Sequence, residues 1–130
     1  MKKSLILICV ILMVSSVANA CAGITVKGSS GASYCLSKQL MNWYSAFAWC
    51  EAQGKKLIDR GTVCGKTSGN CTDLVLSSDE QNKITSNGGT VGGVWTNTSI
   101  SSSYAWNVSL SSGLVFSNAR KDNEAYALCY

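Results

Sequence analysis

The sequence has no histidine and no proline, only two phenylalanines, and seven acidic residues in 130. Each shortage removes a class of function. Without histidine, neither a Ser-His nor a Cys-His nucleophile pair can be assembled. Zinc loses its commonest protein ligand too, and no C-x2-C pair stands in for it. A carboxylate pair for glycoside hydrolysis would have to come from Glu51, Asp59, Asp73, Asp79, Glu80, Asp122 and Glu124. No two of these share an apolar setting, and Asp79 and Glu80 are accounted for by a helix start. The chain is expected not to be an enzyme and to need no metal or cofactor. With proline missing, turns fall to Gly, Ser and Asn, as in a β-rich extracellular domain.

What is present begins with an export signal. Lys2 and Lys3 supply a positive start, Leu5 to Val14 an apolar segment, and Ala18-Asn19-Ala20 a small-residue cleavage site. The apolar run is shorter than the ~20 residues needed to span a bilayer. Residues 1–20 therefore read as a signal peptide of bacterial style, and 21–130 as one domain of about 110 residues. Loss of Lys2 and Lys3 lowers the formal charge from +4 to +2. That balance is too mild and dispersed for nucleic acid or an anionic membrane. Cleavage before Cys21 raises lipidation, but Ala18 and Asn19 suit it poorly. It would also leave an odd number among the cysteines that remain.

Those cysteines number six, since Cys9 leaves with the signal. An even set in an exported chain implies disulfides, and six allow fifteen pairings. Two pairs are favoured by spacing. Cys21 and Cys35 enclose a segment that reads as a hairpin, with Ile24, Val26 and Tyr34 in strands and Gly28-Ser29-Ser30-Gly31 in the turn. Cys64 and Cys71 enclose six turn-forming residues, which suits a small closed loop.

Met41 to Leu57 carries the clearest helical pattern. Trp43, Ala46, Phe47 and Cys50 fall at i, i+3, i+4 and i+7, a core-facing stripe. Asn42 is placed to cap its start and Gly54 to close its end, with Lys55 and Lys56 opposing the helix dipole. A second, short helix is expected through about Ser86, with Ser77 and Ser78 three residues before Glu80 and Gln81 as overlapping capping boxes. Beyond it the pattern is β: Tyr104 to Leu110, Leu114 to Asn118 and Glu124 to Tyr130, with Ser111-Ser112-Gly113 turning between the first two.

Trp43, Ala46, Cys50, Gly54 and Leu57 reproduce W-x2-A-x3-C-x3-G-x2-L, and this block resembles the first helix of C-type lectin-like domains. Leu74 to Ile84 is similar to that family's second helix with its lead-in, and Val94-Trp95-Thr96 to its tryptophan-bearing strand. The resemblance implies an α+β, C-type lectin-like fold: two short helices with a small antiparallel sheet, disulfide-bonded. It also implies that the last strand pairs with the chain's beginning and that Cys50 bonds Cys129. The Cys64 to Cys71 loop is an insertion relative to the family. Sugar-binding members hold calcium through E-P-N or Q-P-D and W-N-D. Here proline is lacking and Trp106-Asn107 is followed by Val108, so the oxygen cage is incomplete. Asp122, Asn123 and Glu124 read as a solvated turn rather than a cation site.

Compact, calcium-free forms resemble adhesin tips and receptor-binding modules. The expected partner is a protein or glycan at a cell surface, and the alternative is a minor subunit of a surface fibre or envelope assembly. The candidate surface combines Asn97 to Tyr104 with Asn118 to Asn123. Its contact residues are Asn97, Ser99, Tyr104, Trp106, Asn118, Arg120, Lys121 and Asn123, whose side chains offer adaptable hydrogen bonds and contact area. Asn70-Cys71-Thr72, Asn97-Thr98-Ser99 and Asn107-Val108-Ser109 fit the N-glycosylation triplet, which arises by chance in so Ser/Asn-rich a chain.

Overall fold

The computed structural model describes residues 20–59, 61 and 70–130, without the side chains of Asp73 and Asn118. Residues 1–19 of the expected signal segment lie outside that set, as does Cys64. Among the described residues the protein is α+β, with two α-helices and two small antiparallel sheets.

β1 (Ile24–Lys27) and β2 (Ser33–Leu36) form the expected hairpin, with Val26 opposite Tyr34 and the turn at Gly28 to Gly31. Ile24 and Val26 point inward while Thr25 and Lys27 face solvent, so the alternation in the sequence becomes one buried face. β2 then pairs with the two-residue β6 (Leu128–Cys129), which brings the end of the chain beside its beginning. Cys35 lies opposite Cys129 in that register. Each is tied outward: Cys21 to Cys35, and Cys50 to Cys129, which are 79 residues apart in sequence. The sulfur of Cys21 is thereby consumed, leaving no thiol for a lipid. On loop-entropy grounds the short bridge contributes about 3 kcal/mol and the long one about 4.5 kcal/mol. Cys71 is fully buried.

Helix α1 (Trp43–Glu51) is shorter than the stretch from Met41 to Leu57 that carries its pattern. Asn42 Oδ1 accepts from the Ser45 N–H at 2.8 Å, so the expected cap forms. At the other end Lys55 N–H reaches the Cys50 carbonyl and Gly54 N–H that of Glu51, with Gly54 at φ 68°. This double closure with a left-handed residue stops the helix. Lys55 and Lys56 consequently lie beyond the last turn, which holds no basic residue, and do not oppose the dipole as expected. Lys56 instead exchanges backbone hydrogen bonds with Tyr130. Met41 and Leu57 bracket the helix and bridge Ala125 and Cys129.

Helix α2 (Ser78–Ser86) starts with Ser77 Oγ accepting from Glu80 N–H at 3.3 Å. The return bond of a capping box is not made. Glu80 gives its carboxylate to the Lys27 N–H at 3.1 Å, so it anchors the first hairpin instead. Gly88, at φ 79°, closes this helix as Gly54 closes the first: Gly89 N–H bonds the Ile84 carbonyl and Gly88 N–H that of Thr85.

The second sheet runs β3 (Gly93–Ser99), β4 (Tyr104–Ser109) and β5 (Val115–Arg120), in that order. β5 reaches Arg120, past the expected end at Asn118. Of the expected last strand, only Leu128 and Cys129 are regular, while Ala125 and Tyr126 make single bridges to Met41 and Val94. Two core clusters result. One gathers Val26, Leu36, Leu74, Ile84, Val94 and Leu110 between the first hairpin and α2. The other gathers Ala46, Cys50, Leu57, Trp95 and Cys129 around α1 and the long disulfide. Trp43 and Phe47 pack on its margin.

Candidate ligand-binding surface

Two indoles fasten α1 to β3. Trp95 Nε1 donates to the Met41 carbonyl and Trp43 Nε1 donates to that of Thr96, each at 2.9 Å. Trp95 is 1% exposed, so its N–H needs this partner. β3 is irregular between Trp95 and Ser99, and β4 between Ala105 and Asn107. There Asn97 turns its N–H to the Ile58 carbonyl, and Thr96 Oγ1 donates to the Trp106 carbonyl. The irregularities release the far end of the β3–β4 hairpin from strict pairing.

That end is a serine-rich loop held by its own bonds. Ser99 Oγ donates to the Ser101 carbonyl, while Ser101 Oγ accepts from the N–H groups of Ser103 and Tyr104. Beside it, Tyr104 stands opposite Arg120 across β4 and β5. The chain then turns through Lys121, Asp122 and Asn123, with Asn123 N–H bonded to the Arg120 carbonyl. Lys121 joins three elements: its N–H donates to Ser103, its carbonyl accepts from Trp43 N–H, and its ammonium lies 4.1 Å from the Trp43 ring centroid.

Tyr44, Ser102, Ser103, Arg120, Lys121 and Asp122 line a surface pocket of about 170 Å³. Arg120 and Asp122 form a two-point pair across its rim, Nε to Oδ1 at 3.1 Å and Nη2 to Oδ2 at 3.0 Å. The hydrogen bond to Arg120 holds the Asp122 carboxyl below its ordinary range, and the same bond raises Arg120. Both groups are solvent-exposed, so the pair orients the rim more than it stabilises the fold.

Of the residues expected to contact ligand, Arg120 and Lys121 line this pocket, and Tyr104 adjoins it through its pairing with Arg120. Ser99, exposed, ends β3 where the loop begins, and Asn123 lies in the turn. Asn97 and Trp106 sit at the strand irregularities, partly buried, away from the lining. Asn118 lies in β5 with its side chain outside the described residues. Lys121 differs most from its expected character, being only 7% exposed, with its ammonium against the Trp43 ring. Ser102, Ser103 and Asp122 fall within the two expected segments without having been named as contact residues, whereas Tyr44 lies outside both. Tyr44 was findable: it falls off the helix's core stripe, and it is 58% exposed.

Among the described residues, no group of three His, Cys, Asp or Glu side chains is placed to hold a metal ion. Nor is any helix there long and apolar enough to cross a membrane. No known protein family's model matches the chain, and no curated protein matches it.

Proposed function

We propose that the protein is an exported recognition module of C-type lectin-like fold that binds a protein or glycan ligand at a cell surface without calcium, through the surface around Tyr44, Tyr104 and Arg120. The observation that carries this reading is the convergence of the serine loop, the 121–123 turn and the start of α1 on one pocket with exposed aromatic rings beside it. Tyrosines give contact area at small ordering cost, and serines give adaptable hydrogen bonds. The fold assignment is supported by the order of elements, the pairing of β2 with β6 and the Cys50–Cys129 bridge. Two disulfides fit an oxidising compartment, which supports export.

A second reading, a structural subunit of a surface assembly, is favoured by one observation. β5 is a sheet edge, and Leu114 and Phe116 beside and within it are each 46% exposed. A binding screen of the oxidised protein against glycans and surface proteins, with calcium and with chelator, tests the primary reading. Binding that survives chelation and is lost in a Tyr44→Ala/Tyr104→Ala variant supports it. Binding abolished by chelator refutes its calcium independence. Bulk co-purification with partner subunits, sensitive to Phe116→Ser and not to the tyrosine changes, favours assembly.

A further inference from the structure

The pocket contains a charge that its surroundings do not balance. Lys121 is more than nine-tenths buried and lines the pocket, yet among the described residues its ammonium has no ion pair or hydrogen bond. What it faces is aromatic: the Trp43 ring at 4.1 Å and the Tyr44 ring at 6.0 Å. Ring quadrupoles attract a cation but supply neither the oxygen acceptors that water gives an ammonium nor a neutralising negative charge. The carboxylate next in the chain, Asp122, is turned away into its two-point pair with Arg120. Those two charges cancel, so the pocket retains the single positive charge of Lys121.

The rest of the lining suits a hydroxylated ring. Ser102 and Ser103 bring two hydroxyls, and Tyr44 contributes an open aromatic face, braced edge-on by Trp43 at 5.3 Å between centroids. At about 170 Å³ the pocket is smaller than the ~300 Å³ from which drug-sized sites begin, and so takes one ring of a longer chain. We infer that this pocket is a subsite for an acidic saccharide, in which the Lys121 ammonium meets the carboxylate of a uronic-acid ring lying on Tyr44, with the serine hydroxyls on the ring hydroxyls. The inference rests on the recognition reading above and narrows its ligand to one charge class.

Three probes test it with the intact oxidised protein in chelator: trigalacturonate, its neutral methyl ester, and an acetylated triglutamate amide. The readout is a titration followed by backbone amide shifts. The expected result is saturable binding of trigalacturonate with shifts at Tyr44, Ser102 and Ser103, about tenfold tighter than the ester. Lys121→Met, which keeps an unbranched stem and removes the charge, should weaken trigalacturonate about tenfold and leave the ester unchanged. If Lys121→Met fails to fold, Ser102→Ala/Ser103→Ala is the second variant, and it should weaken both saccharides. Equal affinity for acid and ester would overturn the inference while leaving the recognition reading intact. Triglutamate binding in preference to trigalacturonate, or no saccharide shifts at these residues, would overturn it as well. Failure of the recognition reading itself has a separate signature, the absence of any ligand in the glycan and protein screen.

Discussion

The two sheets solve the same problem by different means. The sheet of β1, β2 and β6 is made of very short strands, and β6 has only two residues, too few to hold a register by hydrogen bonds alone. Covalent bonds fix it: Cys35 and Cys129 face each other, and each carries a disulfide to another part of the chain. The sheet of β3, β4 and β5 spans residues 93–120, a stretch with no cysteine. Its strands are six or seven residues long, connected in sequence order, and fastened to α1 by two indole hydrogen bonds. Non-local strand pairing is entropically costly and is where cross-links act most, while local hairpins close without them. The candidate pocket stands at the end of the uncross-linked sheet, where the strands are irregular and the loop can vary in sequence without disturbing the staple.

The largest test of this contrast is removal of the long bridge. Cys50→Ala/Cys129→Ala should lower unfolding free energy by about 4.5 kcal/mol in urea, against about 3 kcal/mol for Cys21→Ala/Cys35→Ala. A smaller loss from the 50–129 pair than from the 21–35 pair would break the account. Next comes the indole fastening. Trp95→Phe removes one of the two hydrogen bonds accepted by the Met41 carbonyl, which keeps that from Ala125 N–H, and leaves a gap in the core, and should cost about 2–3 kcal/mol. Trp43→Phe, at a partly exposed position, should cost about 1 kcal/mol by the same denaturation.

Asn42→Ala, which removes the α1 cap, should also cost about 1 kcal/mol. Gly88→Ala, which forces a Cβ into left-handed backbone with open space around it, should cost a similar amount, about 1 kcal/mol. The smallest effect is expected at the pocket rim. Asp122 has its carboxyl lowered by Arg120, so its stabilisation is present above the ordinary carboxylate range and fades as pH falls through the lowered value. Asp122→Asn should remove that acid-side dependence while barely moving the thermal midpoint near neutrality.

Much of the terminal half was readable residue by residue. The hairpin between Cys21 and Cys35 follows from alternation and a Gly-Ser turn, and the ends of α1 follow from Asn42 and Gly54. These are signals carried within a few residues of the structure they specify. The capping box at Ser77 and Glu80 shows where such reading stops. Its forward bond is local and forms, whereas Glu80 is drawn to Lys27 N–H, 53 residues away, by a fold that a local pattern cannot contain. The lysines after Gly54 show the same limit, since the double closure ends the helix at Glu51, takes up the Lys55 N–H and leaves Lys56 to pair with Tyr130.

The pocket lies further along that scale. Ser102, Ser103 and Tyr44 have ordinary reasons to be where they are, turn chemistry for the serines and a solvent-facing helix position for the tyrosine, and no spacing relates them. By itself, the sequence determined most of the elements, their caps and their turns, because those properties depend on neighbours within about one turn or one hairpin. Tertiary structure alone decided that Lys121 is a buried cation and not a surface one. That outcome requires Trp43, 78 positions earlier by residue number, to lie beneath it, and it is the three-way meeting of α1, the serine loop and the 121–123 turn that places the ring there.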